Sequence, residues 1–245
     1  MVVTLAALDV IVSGRLAGIS ATLNSGSITA ICGPNGAGKS SLLQCLAGLL
    51  SLQSGVVTLD GKPLESLSPS ERARAIGYLP QVGEVAWDVS VETLVGLGRL
   101  PHDDGSTGAV SEALAALDLL SFAHRPVSML SGGERARALL ARVLAGEPRW
   151  ILADEPLAAL DLAHQLALLR HLRVAAGQGL GVVLVLHDLA LAMNHADRGL
   201  VLDRGRLAAD GPPAEALAEE LIAQVWGVEA EWLGPPGARA LLARF

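Results

Sequence analysis

Short apolar runs separated by turn residues make up the first part of the chain. β-branched and apolar residues dominate three of these runs, and this composition is typical of strands. A glycine-rich loop follows the third run, and leucines then recur at helical spacing between residues 39 and 50, which predicts a helix there. The predicted strands lie at 4–12, 20–23 and 28–32. A strand, a glycine-rich loop and a helix are therefore expected in direct succession.

The next stretch contains a predicted hairpin and a capped helix. An apolar run at 55–59 ends at Asp60-Gly61, a dipeptide typical of tight turns. Ser68 and Glu71 have the spacing of a capping box, and Pro69 between them suits the first helical position, so a short helix should begin here. The elements predicted after it are a strand at 76–79 and a mainly helical stretch at 88–125, interrupted by a loop at 101–108.

Helices and strands alternate in the second half of the chain. This order favours a parallel sheet with helices packed on its faces. The predicted elements are helices at 132–145, 161–176 and 189–195, strands at 150–153 and 182–186, a hairpin at 200–210 and a small helix in the tail.

Composition and charge narrow the class of protein. With 51% hydrophobic and 18% charged residues among 245, the chain has the composition of a globular protein and not of a disordered one. Its strongly apolar runs fall short of the ~18 to 20 residues that span a bilayer. The start of the chain has no basic region before its apolar run, so we expect no signal peptide and a cytosolic location.

Cysteine content bears on the cellular compartment, and net charge bears on the class of partner. Cys32 and Cys45 are too few for a disulfide framework and have no partner at metal-binding spacing, so we expect two buried thiols. A net charge of -7 argues against nucleic acid as a partner, because binding to a phosphate backbone requires a basic surface.

The glycine-rich loop reads GPNGAGKS and has the complete pattern of a phosphate-binding P-loop. Its glycines allow backbone N–H groups to converge on phosphate oxygens at a helix N-terminus. Lys39 supplies a positive charge for the β- and γ-phosphates, and Ser40 a hydroxyl for Mg²⁺. The expected ligand is a nucleoside triphosphate with Mg²⁺. The predicted nucleotide-binding residues here are Gly33, Pro34, Asn35, Gly36, Ala37, Gly38, Lys39, Ser40 and Ser41.

Two acidic residues end the apolar run WILADEP at 150–156. Because the carboxyl ends of parallel strands meet at one edge of a sheet, Asp154 and Glu155 should lie beside the P-loop. Asp154 is then placed to hold Mg²⁺ through water, and Glu155 to orient and deprotonate the attacking water.

Three further features carry weaker signals on their own. In LSGGE at 130–134, Ser131 and Glu134 form a capping-box pattern, but a cap does not need Gly132 and Gly133, whereas a second anion-binding helix N-terminus does. Gln81 ends a predicted strand, and His187 ends the run GVVLVL. Taken singly, a glutamine or histidine in such a position is more often structural.

The order of these motifs resembles that of the ABC-transporter ATPase family over nearly the whole chain. The resemblance implies that Gln81 senses Mg²⁺ and a transmembrane partner, and that His187 contacts the γ-phosphate. It also implies that LAALD at 157–161, ending in Asp161, crosses to a second subunit, and that the segment from Ser131 to Glu134 acts on that subunit's nucleotide. The active species would be a dimer with ATP between two copies.

The resemblance also implies the fold, which is α/β: a P-loop NTPase core with an antiparallel β subdomain and a helical subdomain, in a single domain over 1–245. The expected parts are a β region with the P-loop core at about 1–80, the helical subdomain at about 82–130, and the second half of the core with the tail at about 131–245.

Three segments resemble the branch of the family that imports iron chelates, haem and vitamin B12. An iron-siderophore or related chelate is the leading substrate, with haem or vitamin B12 as the alternative. The chain would sit on the cytoplasmic face of a bacterial inner membrane, bound to permease subunits through residues 82–100 and serving, indirectly, a solute-binding protein. The segments are LVGLGRLPH at 94–102, LDLAHQ at 160–165 and HDLALAMNHADR at 187–198.

Some features depart from the family pattern or leave other functions open. Family members usually stack adenine on an aromatic residue before the P-loop, and VIVSGR at 10–15 has none. Without the resemblance, His102, His164 and Gln165 would be ordinary loop or helix-surface residues. The competing classes are a non-transport ABC protein of translation or DNA repair, and a nucleotide-binding module without activity.

Overall fold

The described residues of the computed structural model, 3–81, 88–158 and 160–244, contain twelve β-strands in three sheets. Most strands that were predicted from apolar runs are present at those positions. The strands are β1 (Thr4–Val12), β2 (Leu16–Asn24), β3 (Ile28–Cys32), β4 (Ser54–Leu59), β5 (Lys62–Pro63), β6 (Ile76–Leu79), β7 (Trp150–Asp154), β8 (Gly181–Val185), β9 (Arg198–Asp203), β10 (Arg206–Gly211), β11 (Glu229–Leu233) and β12 (Ala240–Arg244).

Nine α-helices lie within the same described ranges. Four short 3₁₀ helices accompany them, at 64–66, 97–99, 120–122 and 127–129. The α-helices are α1 (Lys39–Leu46), α2 (Pro69–Ala75), α3 (Val91–Gly96), α4 (Thr107–Ala116), α5 (Gly132–Ala145), α6 (Leu162–Gly177), α7 (Leu189–His195), α8 (Pro213–Ala216) and α9 (Glu219–Trp226).

The central sheet has six strands in the order β10-β9-β3-β8-β7-β6, and only the β10–β9 pair within it is antiparallel. Every residue of β3, β7 and β8 is buried, which explains why these strands are continuous apolar runs and do not alternate. Because β3, β6, β7, β8 and β9 are parallel, their carboxyl ends share one edge of the sheet. The predicted parallel α/β sheet is confirmed.

A second sheet, β2-β1-β4-β5, is antiparallel throughout. Its buried side chains and those of α1 form one hydrophobic cluster with one face of the central sheet, and this cluster includes Leu5, Ile19, Leu42 and Leu152. Helices α3 to α6 form another cluster on the opposite face. Two apolar layers therefore enclose the central sheet, and the P-loop and the polar strand ends lie at its edge.

Three elements differ from the prediction. Helix α1 ends at Leu46 and not at residue 50, and Gly48 soon after it has a φ of +67°, which no continuing helix can adopt. The stretch 88–125 contains only two short α-helices joined by turns and 3₁₀ helices, and α4 already starts at Thr107, where Ser106 caps it. The tail forms two helices and the β11–β12 hairpin, which was not predicted.

The subdomain boundaries near residues 80 and 130 remain a prediction.

No helix among the described residues is both long enough and apolar enough to cross a bilayer.

Close packing between β7 and β8 provides a test of this fold. Gly181 pairs with Trp150 across the two strands, and a Cβ added to Gly181 would lie 2.2 Å from the Trp150 ring. Trp150 is fully buried, so it cannot move aside, and we expect Gly181→Ala to lower the free energy of unfolding in urea by about 1 to 3 kcal/mol.

The matched control is Gly177→Ala. A Cβ at Gly177 meets no atom of the described residues within 4 Å, so this change should alter the free energy of unfolding by less than about 1 kcal/mol. Equal effects of the two substitutions would contradict the packing of Trp150 on Gly181.

Candidate functional site

The P-loop connects the buried end of β3 to α1 and brings the backbone very close to neighbouring chain segments. Gly33 has a φ of +148°, and a Cβ on it would lie 2.2 Å from the carbonyl oxygen of Leu202. Gly38 has a φ of +101°, and its Cβ would lie 2.8 Å from the carbonyl oxygen of Arg15. Only glycine fits these two positions.

The N-terminus of α1 is open to an anion. Gly38 precedes the helix and offers no side-chain cap, and the first turn contains no acidic residue. The first N–H groups of a helix have no intrahelical acceptor, and the helix dipole favours negative charge there. This end of α1 is therefore built to receive phosphate oxygens.

Lys39 is the first residue of α1, and only 6% of it is exposed. Its Nζ donates hydrogen bonds to the carbonyl oxygens of Gly33, at 2.8 Å, and Pro34, at 3.0 Å. Burial lowers the pKa of Lys39, and the negative charge of Glu155 partly opposes this shift. The ammonium group therefore lies over the loop that would surround the phosphates, with backbone carbonyls as its hydrogen-bond partners.

Ser40 and Asp154 meet at the ends of α1 and β7. The Ser40 Oγ donates to Asp154 Oδ1 at 3.0 Å, and Asp154 is only 4% exposed. Burial raises the pKa of Asp154, while the hydrogen bond from Ser40 acts in the opposite direction. A hydroxyl and a carboxylate beside a phosphate site are oxygen ligands of the kind that Mg²⁺ prefers.

Glu155 joins two other predicted residues. The Gln81 Nε2 donates to Glu155 Oε2 at 2.6 Å, and the His187 Nε2 lies 2.5 Å from Glu155 Oε1. The backbone of Glu155 has a φ of +49°, an uncommon value for a residue with a side chain. Strained backbone of this kind often occurs at functional sites, where the surrounding structure holds it in place.

The LSGGE segment forms the start of α5. Ser131 is the N-cap, its Oγ accepts from the backbone N–H of Glu134 at 3.3 Å, and Glu134 Oε2 accepts from the backbone N–H of Ser131 at 2.8 Å. The predicted capping box is confirmed. Gly132 is exposed and Gly133 is buried. No hydrogen bond or ion pair between described residues joins this segment to the P-loop.

Asp161 caps the next helix. Its Oδ1 accepts from the backbone N–H of His164 at 3.0 Å, at the start of α6. Among the described residues, no hydrogen bond or ion pair joins Asp161 or the LSGGE segment to the group of Gln81, Glu155 and His187. The structure therefore sorts the predicted residues into two sets, one around the P-loop and one around the starts of α5 and α6.

A cavity of about 270 Å³ opens beside the P-loop, and none of the described residues that line it is aromatic. Arg15 forms part of its wall, in the turn between β1 and β2, a position to which sequence reasoning assigned no role. The only available signal was the missing aromatic residue in the same stretch. The lining residues are Gly14, Arg15, Gly36, Gly38, Lys39, Ser40 and Ser41.

The predicted docking stretch at 82–100 is only partly described, because 82–87 lie outside the described residues. In its described part, Leu97 and Leu100 are exposed. Arg99 between them is buried and paired with Asp104 and Glu147. Two ion pairs thus anchor a short segment whose leucines are exposed.

Several known proteins that are similar to this chain belong to one family. Residues 16–158 match the profile of the family described as ABC transporter. A hemin import ATP-binding protein HmuV of Rhodococcus jostii is 44% identical over 233 residues, which cover 92% of this chain and 80% of that protein. The HmuV protein of Streptomyces coelicolor is 45% identical over 232 residues, covering 93% and 83%.

Among solved structures, one of an ABC transporter of the metal-chelate type in an inward-facing conformation is similar, with a TM-score of 0.84 and 26% identity. The similarity covers 99% of this chain and 98% of that one. The fold predicted from the motifs, a P-loop NTPase core with antiparallel and helical parts, is confirmed. The chain therefore belongs to the ABC transporter family, as an ATP-binding subunit with ATPase activity.

Proposed function

We propose that this chain powers the import of haem or a related metal chelate, by hydrolysing ATP between two copies of itself on a membrane permease. The observation that carries the proposal is the group at the carboxyl edge of the sheet. Glu155 there contacts both Gln81 and His187, beside a P-loop lysine and a Ser40–Asp154 pair.

In this proposal the P-loop holds the phosphates. The N-terminus of α1 offers backbone N–H groups, and Lys39 turns from the loop carbonyls toward the β- and γ-phosphates. Ser40 and Asp154 would hold Mg²⁺, Asp154 through water, with Gln81 as a further ligand. When bound, Mg²⁺ offsets negative charge on the phosphates during transfer.

Glu155 is the proposed general base. Its carboxylate takes a proton from the water that attacks the γ-phosphorus, and the bond from that phosphorus to ADP breaks. His187 would contact the γ-phosphate, and Gln81 would report the state of the site to the permease. Because both bind the carboxylate directly, they also set its orientation.

The remaining predicted residues serve a second copy of the chain. Ser131, Gly132, Gly133 and Glu134 would contact the nucleotide held by the partner's P-loop, and Asp161 would cross to the partner nearby. In support of this arrangement, the hydrogen bonds of Ser131, Glu134 and Asp161 go to the starts of their own helices, and none between described residues goes to the P-loop. ATP would close the dimer and hydrolysis would open it. This population shift would move the permease subunits that are bound to the dimer.

Haem has the strongest support among the substrates considered. The relatives from Rhodococcus and Streptomyces carry hemin import in their names, and the similar structure is of the metal-chelate type. This favours the alternative over a siderophore, although both are metal chelates. The chain would lie on the cytoplasmic face of the membrane, with Leu97 and Leu100 toward the permease. A solute-binding protein would take part indirectly.

The other classes have less support. A non-transport role in translation or DNA repair would require contact with nucleic acid, which the net charge of -7 disfavours. An inactive module is disfavoured because Lys39, Asp154, Glu155 and His187 are all present at the site.

Removal of the P-loop ammonium tests nucleotide binding. We expect Lys39→Ala to weaken ATP binding by about 100-fold, because charge-assisted hydrogen bonds to phosphate are lost. The control is Lys62→Ala, at an exposed lysine in β5, which should bind ATP normally. Titration with a fluorescent ATP analogue measures both. Unchanged affinity in Lys39→Ala would refute the assigned role.

Replacement of the proposed base separates binding from hydrolysis. Glu155→Gln should bind ATP but lower kcat by about 10² to 10⁴-fold, since an amide cannot accept the proton. An ATP-bound dimer should then accumulate and be visible by light scattering. Glu220→Gln, an exposed change in α9, is the control. Hydrolysis at the normal rate in Glu155→Gln would show that another group is the base.

The substrate is tested by growth in the host of this protein. A strain lacking this chain should fail to grow with haem as its sole iron source, and wild type but not Glu155→Gln should restore growth. Growth on ferric siderophore is measured in parallel. A defect confined to siderophore would overturn the haem assignment and support the siderophore alternative.

A further inference from the structure

The segment LDLAHQ at 160–165 contains two polar residues that the proposed function does not use. His164 and Gln165 occupy the first turn of α6, directly after Asp161. Each makes a hydrogen bond to the loop that connects β7 to α6. They are therefore more than ordinary helix-surface residues.

His164 binds one oxygen of the Asp161 carboxylate with both its backbone and its imidazole. Its Nδ1 lies 2.7 Å from Asp161 Oδ1, and its backbone N–H donates to the same oxygen at 3.0 Å. These hydrogen bonds lower the pKa of Asp161. The orientation of the carboxylate thus depends on the imidazole as well as on the helix.

The same imidazole lies directly on the LSGGE segment. A Cβ built on Gly133 would be 2.1 Å from His164 Cδ2 and 2.5 Å from His164 Nε2, far inside van der Waals contact. The ring therefore packs against the bare backbone of Gly133, and a larger residue there would displace the imidazole from its present position. This gives the second glycine of LSGGE a role within its own subunit.

Gln165 fastens the loop at another point. Its Nε2 donates to the carbonyl oxygen of Leu157 at 3.1 Å, and the backbone N–H of Ala158 donates to the carbonyl oxygen of Glu155 at 3.2 Å. The loop that leaves Glu155 is therefore tied to α6, and α6 is tied to the start of α5 through His164.

We propose that His164 is a positioning residue that joins Asp161 and the LSGGE segment into one unit, so that both meet the partner subunit's nucleotide together. This inference rests on the proposed function, in which both segments act on the partner's nucleotide. A unit that is organised before the dimer closes loses less conformational freedom on closure than two separate segments would.

The exposure of the His164 and Asp161 side chains distinguishes a positioning role from a role in folding. The side chains of His164 and Asp161 are 37% and 67% exposed. Ion pairs and hydrogen bonds at such exposed sites contribute little to stability. Removal of the imidazole should therefore leave the fold intact and alter the geometry of the two segments.

The test compares three variants of the full chain. His164→Ala should lower kcat for ATP hydrolysis by up to about 100-fold, while nucleotide affinity and the urea midpoint stay at the wild-type values. His164→Asn should recover much of the rate, because its Nδ2 can donate to Asp161 as the imidazole Nδ1 does. His171→Ala is the matched control, since His171 lies on the same helix and no hydrogen bond or ion pair between described residues joins it to either segment.

Dimer formation gives the second readout. In the Glu155→Gln background, His164→Ala should weaken the ATP-dependent dimer, measured by light scattering over a range of protein concentrations. If Glu155→Gln itself never dimerises with ATP, the proposed function fails.

If Glu155→Gln dimerises and His164→Ala changes neither kcat nor the dimer, the positioning role is refuted. A loss of kcat that follows a lower urea midpoint and is not rescued by His164→Asn would also refute it, in favour of a structural role.

Discussion

The parallel register of β3, β8 and β7 is the constraint on which the site depends. Ile31 pairs with Val185, and Val185 pairs in turn with Asp154, so that the three strands end at the same level of the sheet. The residues that follow these ends are the P-loop, His187 and Glu155. These residues meet because the buried apolar strands pair in this register. A shift of one residue would turn every side chain of a strand to the opposite face of the sheet.

Burial at this edge also determines the electrostatics. Asp154 and Lys39 are nearly inaccessible, and burial works against the charged form of each. Backbone carbonyls accept the lysine's hydrogen bonds, and a serine hydroxyl donates to the carboxylate. The buried cation and the buried anion are not paired with each other. Such a site suits a ligand that carries both charges, such as a nucleotide with its metal ion.

Local patterns predicted much of this structure because their causes are local. The capping boxes at Ser68 and Ser131, the hairpin at Asp60-Gly61 and the fully apolar strands each depend on a few neighbouring residues. The β11–β12 hairpin had no such signal. Each strand has five residues, none of them is buried, and the connection at 234–239 is longer than the two-residue turns that mark a hairpin most clearly.

The contact between His164 and Gly133 shows what sequence could not supply. The two residues lie 31 positions apart on different helices, and their approach depends on the packing of α5 and α6. From sequence, the glycines of LSGGE had one explanation, the approach of an anion to exposed amides. The structure adds another for Gly133, the approach of a ring from its own subunit. A side chain at Gly133 would move the imidazole away from its place beside Asp161, so the glycine and the histidine depend on each other.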